Sequence, residues 1–226
     1  MKEKIGIFGG TFNPIHSGHL QAAEEVMSRF GLDRILFIPS YLPPHKGLEE
    51  VVSAEDRMRM VELAVRNHPG FIASALEVEA RETSYSIDTL ERIKNVCPDV
   101  RIFFILGVDA FLEIGTWREY ERVIEECKFI VMSRPGFRLE SVAGVLGGRF
   151  DSEMTKISGD APVDEARLSR FRVFLAPIRA LDISSTDIRR RLRRGESLED
   201  FVPEDVRTFI MDRKLYQDGK EPCRKK

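Results

Sequence analysis

The chain has 226 residues, 42% of them hydrophobic and 32% charged, with a formal net charge of −2. That balance fits a globular protein burying roughly three quarters of its unfolded surface, and it gives no whole-chain attraction to nucleic acid or anionic membrane. Three cysteines, Cys97, Cys127 and Cys223, without C-x-x-C spacing argue against a disulfide framework or structural zinc and fit a reducing cytoplasm.

Residues 5–8 are a short apolar run that reads as a buried strand of a parallel sheet. Gly9-Gly10-Thr11-Phe12-Asn13-Pro14-Ile15-His16-Ser17-Gly18-His19 follows, and Leu20, Ala23, Met27 and Phe30 then recur at helical spacing. Strand, glycine turn and helix together aim free backbone N–H groups and a positive helix end at an anion. Gly9 and Gly10 let the backbone approach a phosphate, and Pro14 stiffens the turn. His16 and His19 fall on one face of the first helical turn, where two imidazoles can donate to oxygens gaining charge in phosphoryl transfer. Gly18 keeps that face open. The alternative reading of the pair as half of a zinc site lacks a third His or Cys nearby. Neither G-x-G-x-x-G nor G-x-x-x-x-G-K-[ST] is present.

A second buried strand is predicted at 34–39, ended by its proline, and implies right-handed crossovers with helices on both sheet faces. Ligands of such folds sit outside the carboxyl ends of the strands. The loop from Ser40 leaves that edge, and Pro43 and Pro44 present His45 and Lys46, as a phosphate contact or as an exposed basic loop. Ser53 opens a capped helix, and 71–73 and 76–78 are short strand candidates. Thr83-Ser84-Tyr85-Ser86 is a polar turn with Ser/Thr caps, feeding a helix through Ile87, Leu90 and Ile93. The run 101–107 is apolar from Ile102 to Leu106 and so reads as a central strand. Gly107 and Asp109 follow at its ligand edge, where Asp109 also reads as a helix cap. Trp117-Arg118 follows a glycine-containing turn.

The next strand, 128–133, ends in Arg134-Pro135-Gly136, a placement suited to phosphate binding or to a solvated arginine. Residues 137–170 form a variable excursion with one or two helices, and 173–176 returns to the sheet. Ser184, Ser185 and Thr186 then cap a helix carrying Arg189, Arg190 and Arg191, which reads as an anion site or as a basic face. Val202-Pro203-Glu204 starts a last helix. The expected organisation is one α/β domain over 1–216, a Rossmann-like doubly wound parallel sheet. Its small C-terminal helical part spans 180–216, and a polar tail covers 217–226. No run approaches the ~20 apolar residues of a membrane span, and the first apolar run is too short for a signal peptide. The expected location is the cytoplasm.

Several of these segments together resemble a known family. The stretch from Gly9 to His19 is similar to the T/H-x-G-H signature of the nucleotidyltransferase superfamily, and most like bacterial nicotinate-nucleotide adenylyltransferases. Many of those carry Asp where Asn13 stands, and Asn keeps the turn chemistry. Pro43-Pro44-His45-Lys46 resembles the family's phosphate-bordering loop, Ser84-Tyr85-Ser86 its S-[YW]-T turn, Gly107-x-Asp109 its G-x-D, and Ile183 to Arg189 the second signature I-S-S-T-x-I-R.

The resemblance implies transfer of AMP from ATP to nicotinate mononucleotide, with Mg²⁺ bound mainly through ATP and pyrophosphate. It implies His16, His19, Lys46 and Arg189 as catalytic groups. Gly9, Gly10, Thr11, Phe12, Gly107, Asp109, Ser184, Ser185 and Thr186 join His16, His19 and Arg189 around ATP. Ser40, His45, Lys46, Ser84, Tyr85, Ser86, Trp117, Arg118 and Arg134 fall to the mononucleotide. In this scheme the ring stacks on Trp117, the Ser86 backbone holds its carboxylate, and Arg190 and Arg191 point outward. Rival readings are a related transferase acting on nicotinamide mononucleotide, phosphopantetheine or glycerol phosphate, and a nucleotide sensor without turnover. Trp117 and the Ser84-Tyr85-Ser86 turn favour a flat pyridine, and both intact histidines favour turnover. No metal ligand set, nucleic acid or membrane partner is expected, and oligomeric state, a homo-oligomer included, is left open.

Overall fold

Short apolar runs alternate with amphipathic segments, and each alternation becomes a strand with its crossover helix. The computed structural model describes residues 2–42, 51–134, 136–179 and 181–217. In chain order its elements are β1 (Glu3–Gly10), α1 (Ser17–Phe30), β2 (Arg34–Pro39), α2 (Ala54–Val65), β3 (Phe71–Ala73), α3 (Leu76–Ala80), α4 (Ser86–Val96), β4 (Val100–Gly107), α5 (Val108–Leu112), α6 (Tyr120–Glu126), β5 (Lys128–Met132), β6 (Met154–Lys156), α7 (Glu165–Arg170), β7 (Val173–Ala176), α8 (Ser185–Arg194) and α9 (Glu204–Asp212). The strands are all parallel, in the order β3-β2-β1-β4-β5-β7-β6. This is the expected Rossmann-like doubly wound sheet.

The run 101–107 lies in β4, at the middle of the sheet. Successive strand side chains point to opposite faces. Phe103 and Ile105 therefore join a core with α1, α2, α8 and α9, while Ile102, Phe104 and Leu106 join another with α4, α5 and α6. Phe30, Phe37, Phe103 and Phe174 are wholly buried on the first face, and each contributes about 1.5–3 kcal/mol of transfer free energy. Helix α1 starts at His16, whose extended backbone makes it the N-cap, and stops at Gly31, whose φ of 58° is the left-handed conformation that glycine tolerates. Ser53 caps α2 by accepting the Asp56 amide at 3.0 Å, as its sequence predicts.

Three expectations need correction. Residues 76–78 are helical, the Glu79 amide reaching the Ala75 carbonyl at 2.7 Å. They follow β3, which pairs only with β2 at the sheet's edge, so no neighbour is there to reward an extended backbone. The cap of α4 is Tyr85 with no side-chain bond, because the Ser84 hydroxyl already accepts the Tyr41 amide at 2.9 Å. The excursion holds one α-helix, α7, and also the unpredicted edge strand β6, whose three residues carry too little pattern to read.

Strand order places the site. From β1 the chain crosses to β2 on one side, and from β4 to β5 on the other. The crevice beyond the carboxyl ends of β1 and β4 is where such sheets bind ligands, and Gly9 to His19 leaves β1 there.

Candidate active site

The loop after β1 is held in an unusual backbone. Phe12 has φ of 48°, costly for a side chain of its size. Its ring is buried between Phe8, Phe37 and His19, with centroids 5.9, 6.1 and 5.2 Å away, which offsets that cost. Asn13 is buried too, its Oδ1 accepting the Val52 amide at 3.3 Å and the Tyr216 hydroxyl at 2.9 Å. The His16 and His19 rings stack with centroids 3.6 Å apart. The His16 amide donates to His19 Nδ1 at 3.2 Å, so a neutral His19 carries its proton on Nε2. Burial first, and then the charge of Arg134, lower the His16 pKa to about 3. A Cβ on Gly18 would stand 3.1 Å from the Leu181 carbonyl and 3.2 Å from His16 Nδ1, so glycine permits this packing.

The second signature is clamped onto the first. Ser184 caps α8 by accepting the Asp187 amide at 3.1 Å. Ser185 Oγ donates to the Pro14 carbonyl at 2.8 Å, and Arg189 Nη1 to the Asn13 carbonyl at 2.8 Å. The two serine hydroxyls are thus engaged in structure, while the start of α8 keeps its positive end toward the cleft. Arg190 pairs with Asp187. Arg191 does not point outward as expected: it lies over the Phe201 ring, 4.2 Å from its centroid, and bonds Asp187 and Glu196. Aromatic stacking and two carboxylates outcompete solvation there.

Helix α1 also straps down the approach to α8. Gln21 Oε1 accepts the Leu181 amide at 3.0 Å, Glu25 Oε2 the Arg179 amide at 2.9 Å, and Arg29 Nη1 donates to the Pro177 carbonyl at 2.8 Å. Four helical residues rise about 6.0 Å and two extended residues about 6.6 Å, so the two spacings match.

Both signatures line one cleft of about 1160 Å³. Gly9, Gly10, Thr11, Phe12, His16, His19, Gly107, Asp109, Arg134, Ser184, Ser185, Thr186 and Arg189 all border it. Arg134 donates to Asp109 Oδ2 at 2.7 Å, and a Cβ on Gly107 would clash with the Asp109 carboxylate. Ser84, Tyr85, Ser86, Trp117 and Arg118 are not in that lining. They gather beside it, Arg118 lying 5.1 Å over the Tyr85 ring and Trp117 packing edge-on against Phe104 at 5.7 Å. Phe104 reaches the back of Gly9, 3.9 Å from where its Cβ would be. Ser40 is buried beneath the loop, its amide on the Gly10 carbonyl at 2.9 Å. His45 and Lys46 lie outside the described residues, as does the tail from 218.

Sequence reasoning missed Asn13 as a hub, Tyr216 as its partner, and Arg57. Arg57 is 1% exposed, on the buried stripe of α2 with Ala54, Met58 and Val61. An arginine on an apolar stripe was the available signal.

A model of the cytidylyltransferase-like family matches residues 7–191. The chain is 41% identical over 217 residues to a probable nicotinate-nucleotide adenylyltransferase of Geotalea uraniireducens, covering 96% of this chain and all of that protein. A protein of the same name from Desulfatibacillum aliphaticivorans is 41% identical over 221 residues, covering 94% and 99%. The fold is similar to that of Plasmodium falciparum nicotinic acid mononucleotide adenylyltransferase complexed with NaAD, with a TM-score of 0.69 and 22% identity over 97% of this chain and 100% of that one.

Proposed function

The chain belongs to the nicotinate-nucleotide adenylyltransferases of the cytidylyltransferase-like family, and on that premise we propose that it transfers AMP from ATP to nicotinate mononucleotide, giving deamido-NAD and pyrophosphate. One observation carries the assignment of the site: the start of α8 is tied by the Ser185–Pro14 hydrogen bond, across 171 residues of sequence, to the loop that leads into α1, and both helix starts open on one cleft. Positive helix ends suit a polyphosphate.

In this reading the mononucleotide's 5′-phosphate oxygen attacks the α-phosphorus in line. A new P–O bond forms as the bond to the β-phosphate oxygen breaks, and pyrophosphate leaves. His19 Nε2–H donates to the oxygens gaining charge, and neutral His16 supplies a second N–H. Arg189 follows the polyphosphate, and Lys46 joins it on its motif alone. Positioning and preorganised charge do the catalysis. Among the described residues no group of three metal-ligating side chains converges. Mg²⁺ would therefore be held by phosphate oxygens and water, where it neutralises phosphate charge.

The pyridine stacks on Trp117, and its carboxylate accepts the amides of Ser86, at the start of α4, and of Arg118. The Arg118–Tyr85 contact, which sets these two turns side by side, supports that reading. Among the described residues no helix is long and apolar enough to cross a membrane, and Cys97 and Cys127 are free thiols. Both fit an enzyme of the cytoplasm.

Pyrophosphate release from ATP, measured with nicotinate mononucleotide, nicotinamide mononucleotide and phosphopantetheine, tests the assignment. Hydrogen bonds to a charged group contribute about 1.5–3 kcal/mol each. Two of them predict a kcat/KM preference for the nicotinate over the nicotinamide form on the order of 10²–10⁴. Ser86→Ala should leave that preference intact, and Trp117→Ala should weaken both without reversing them. A ratio near one would sink the carboxylate model.

A further inference from the structure

Arg57 heads the large fully buried side chains among the described residues, and no packing role accounts for its charge. Among the described residues no carboxylate lies within 4.0 Å of it, and every bond it makes goes to main-chain carbonyls. Nε donates to Val52 at 3.1 Å, Nη1 to Thr11 at 2.9 Å and to Ser40 at 2.6 Å, and Nη2 to Tyr41 at 3.1 Å. A desolvated cation without a paired anion is costly, and an apolar residue of similar volume would pack as well. What an apolar residue lacks is a rigid fork of donors that reaches three segments at once.

Those carbonyls belong to peptides at the site. A trans peptide is planar, and its C=O and N–H point in opposite directions. Drawing the Thr11 carbonyl toward Arg57 therefore turns the Phe12 N–H the other way. Among the described residues that amide meets no acceptor, and Phe12 lines the cleft. The bond also helps hold the left-handed φ of Phe12, a conformation that persists only where surroundings fix it. The Ser40–Tyr41 peptide is held at both ends, its carbonyl on Arg57 and its N–H on Ser84 Oγ. Ser84 begins the turn assigned to the pyridine.

We propose that Arg57 is a positioning residue for both halves of the site: it aims the Phe12 amide at ATP phosphate and, through the Ser40–Tyr41 peptide, sets the turn at Ser84. This rests on the reading of the loop after β1 as the ATP side. Lysine keeps the charge and cannot span three segments. Arg57→Lys should therefore weaken ATP binding, measured calorimetrically without acceptor, and lower kcat at saturating substrate, together on the order of 10²-fold in kcat/KM. Val123→Ala, a cavity in the opposite core, should lose thermal stability and keep both values near wild type. Arg57→Lys behaving like wild type, or Val123→Ala losing as much activity, would overturn the proposal.

A measurement on the wild type stands whether or not the variants fold. With ¹⁵N-labelled protein, ATP should shift the Phe12 amide resonance, and the Tyr41 amide should already be protected from exchange in the free protein. A Phe12 amide indifferent to ATP overturns the proposal. Wild-type enzyme that binds ATP with these signatures and is silent with nicotinate mononucleotide would instead refute the acceptor while leaving the role of Arg57 intact.

Discussion

Burial, aided by the charge of Arg134, holds the His16 imidazole at a pKa of about 3, against 6.5 when exposed. The ring is neutral at physiological pH, so whatever it gives a transition state is a single N–H and not a positive charge. The same shift has a consequence for stability. A group whose folded pKa is depressed contributes fully above its unfolded value and loses that contribution as pH falls. Between pH 6.5 and about 3 the unfolded chain binds a proton that the folded chain refuses, which costs about 1.4 kcal/mol per pH unit. His16→Asn removes this dependence. Urea unfolding of both proteins at several pH values from neutral down to 5 should show the wild-type advantage shrinking by that slope below 6.5. A difference that stays flat would mean that the ring titrates normally.

At the scale of elements, α1 and α8 behave as one unit. Ser185 and Arg189 bond the loop before α1, and the Gln21–Glu25–Arg29 stripe holds the chain that enters α8. Arg189 and Arg191 share that helix and differ in surroundings, since one borders the cleft and the other covers Phe201. Arg189→Ala should raise the KM for ATP and lower kcat, because in the proposed reaction its charge would follow the polyphosphate into the transition state. Arg191→Ala should leave both constants alone and cost about 1 kcal/mol of stability through the lost stacking. Steady-state kinetics and melting of the two variants decide it. Equal kinetic losses would indicate a diffuse basic face.

At the scale of the molecule, the described residues form one sheet with a large core on each face, and both cores share every central strand. Residues 1–216 should therefore unfold as one unit. Trp117 is the only tryptophan and packs on the core with α4 to α6, so its fluorescence reports that face alone. Phe174 lies wholly buried on the other face. Phe174→Leu should lower the midpoint seen by Trp117 fluorescence and the midpoint seen by far-ultraviolet circular dichroism equally. Separate midpoints would divide the molecule into two units.

What the sequence by itself determined is what local chemistry encodes. Apolar runs bounded by glycine and proline marked most of the strands, capping residues marked Ser53 and Ser184, and the two signature segments named many of the groups that border the cleft. These follow from the few residues around each position. Tertiary structure alone decided the rest. Leu76 to Ala80 is a helix because the sheet ends at β3. The serines of the second signature clamp a loop, and Arg191 turns to Phe201. Arg57, Asn13 and Tyr216 are tied to the loop after β1 and its neighbours by bonds to distant segments, up to 203 residues away for Tyr216 and Asn13. The proton affinity of His16 depends on how much water the packed elements exclude from it. Desolvation and long-range hydrogen bonding exist only once the elements have met, and no window of sequence contains them.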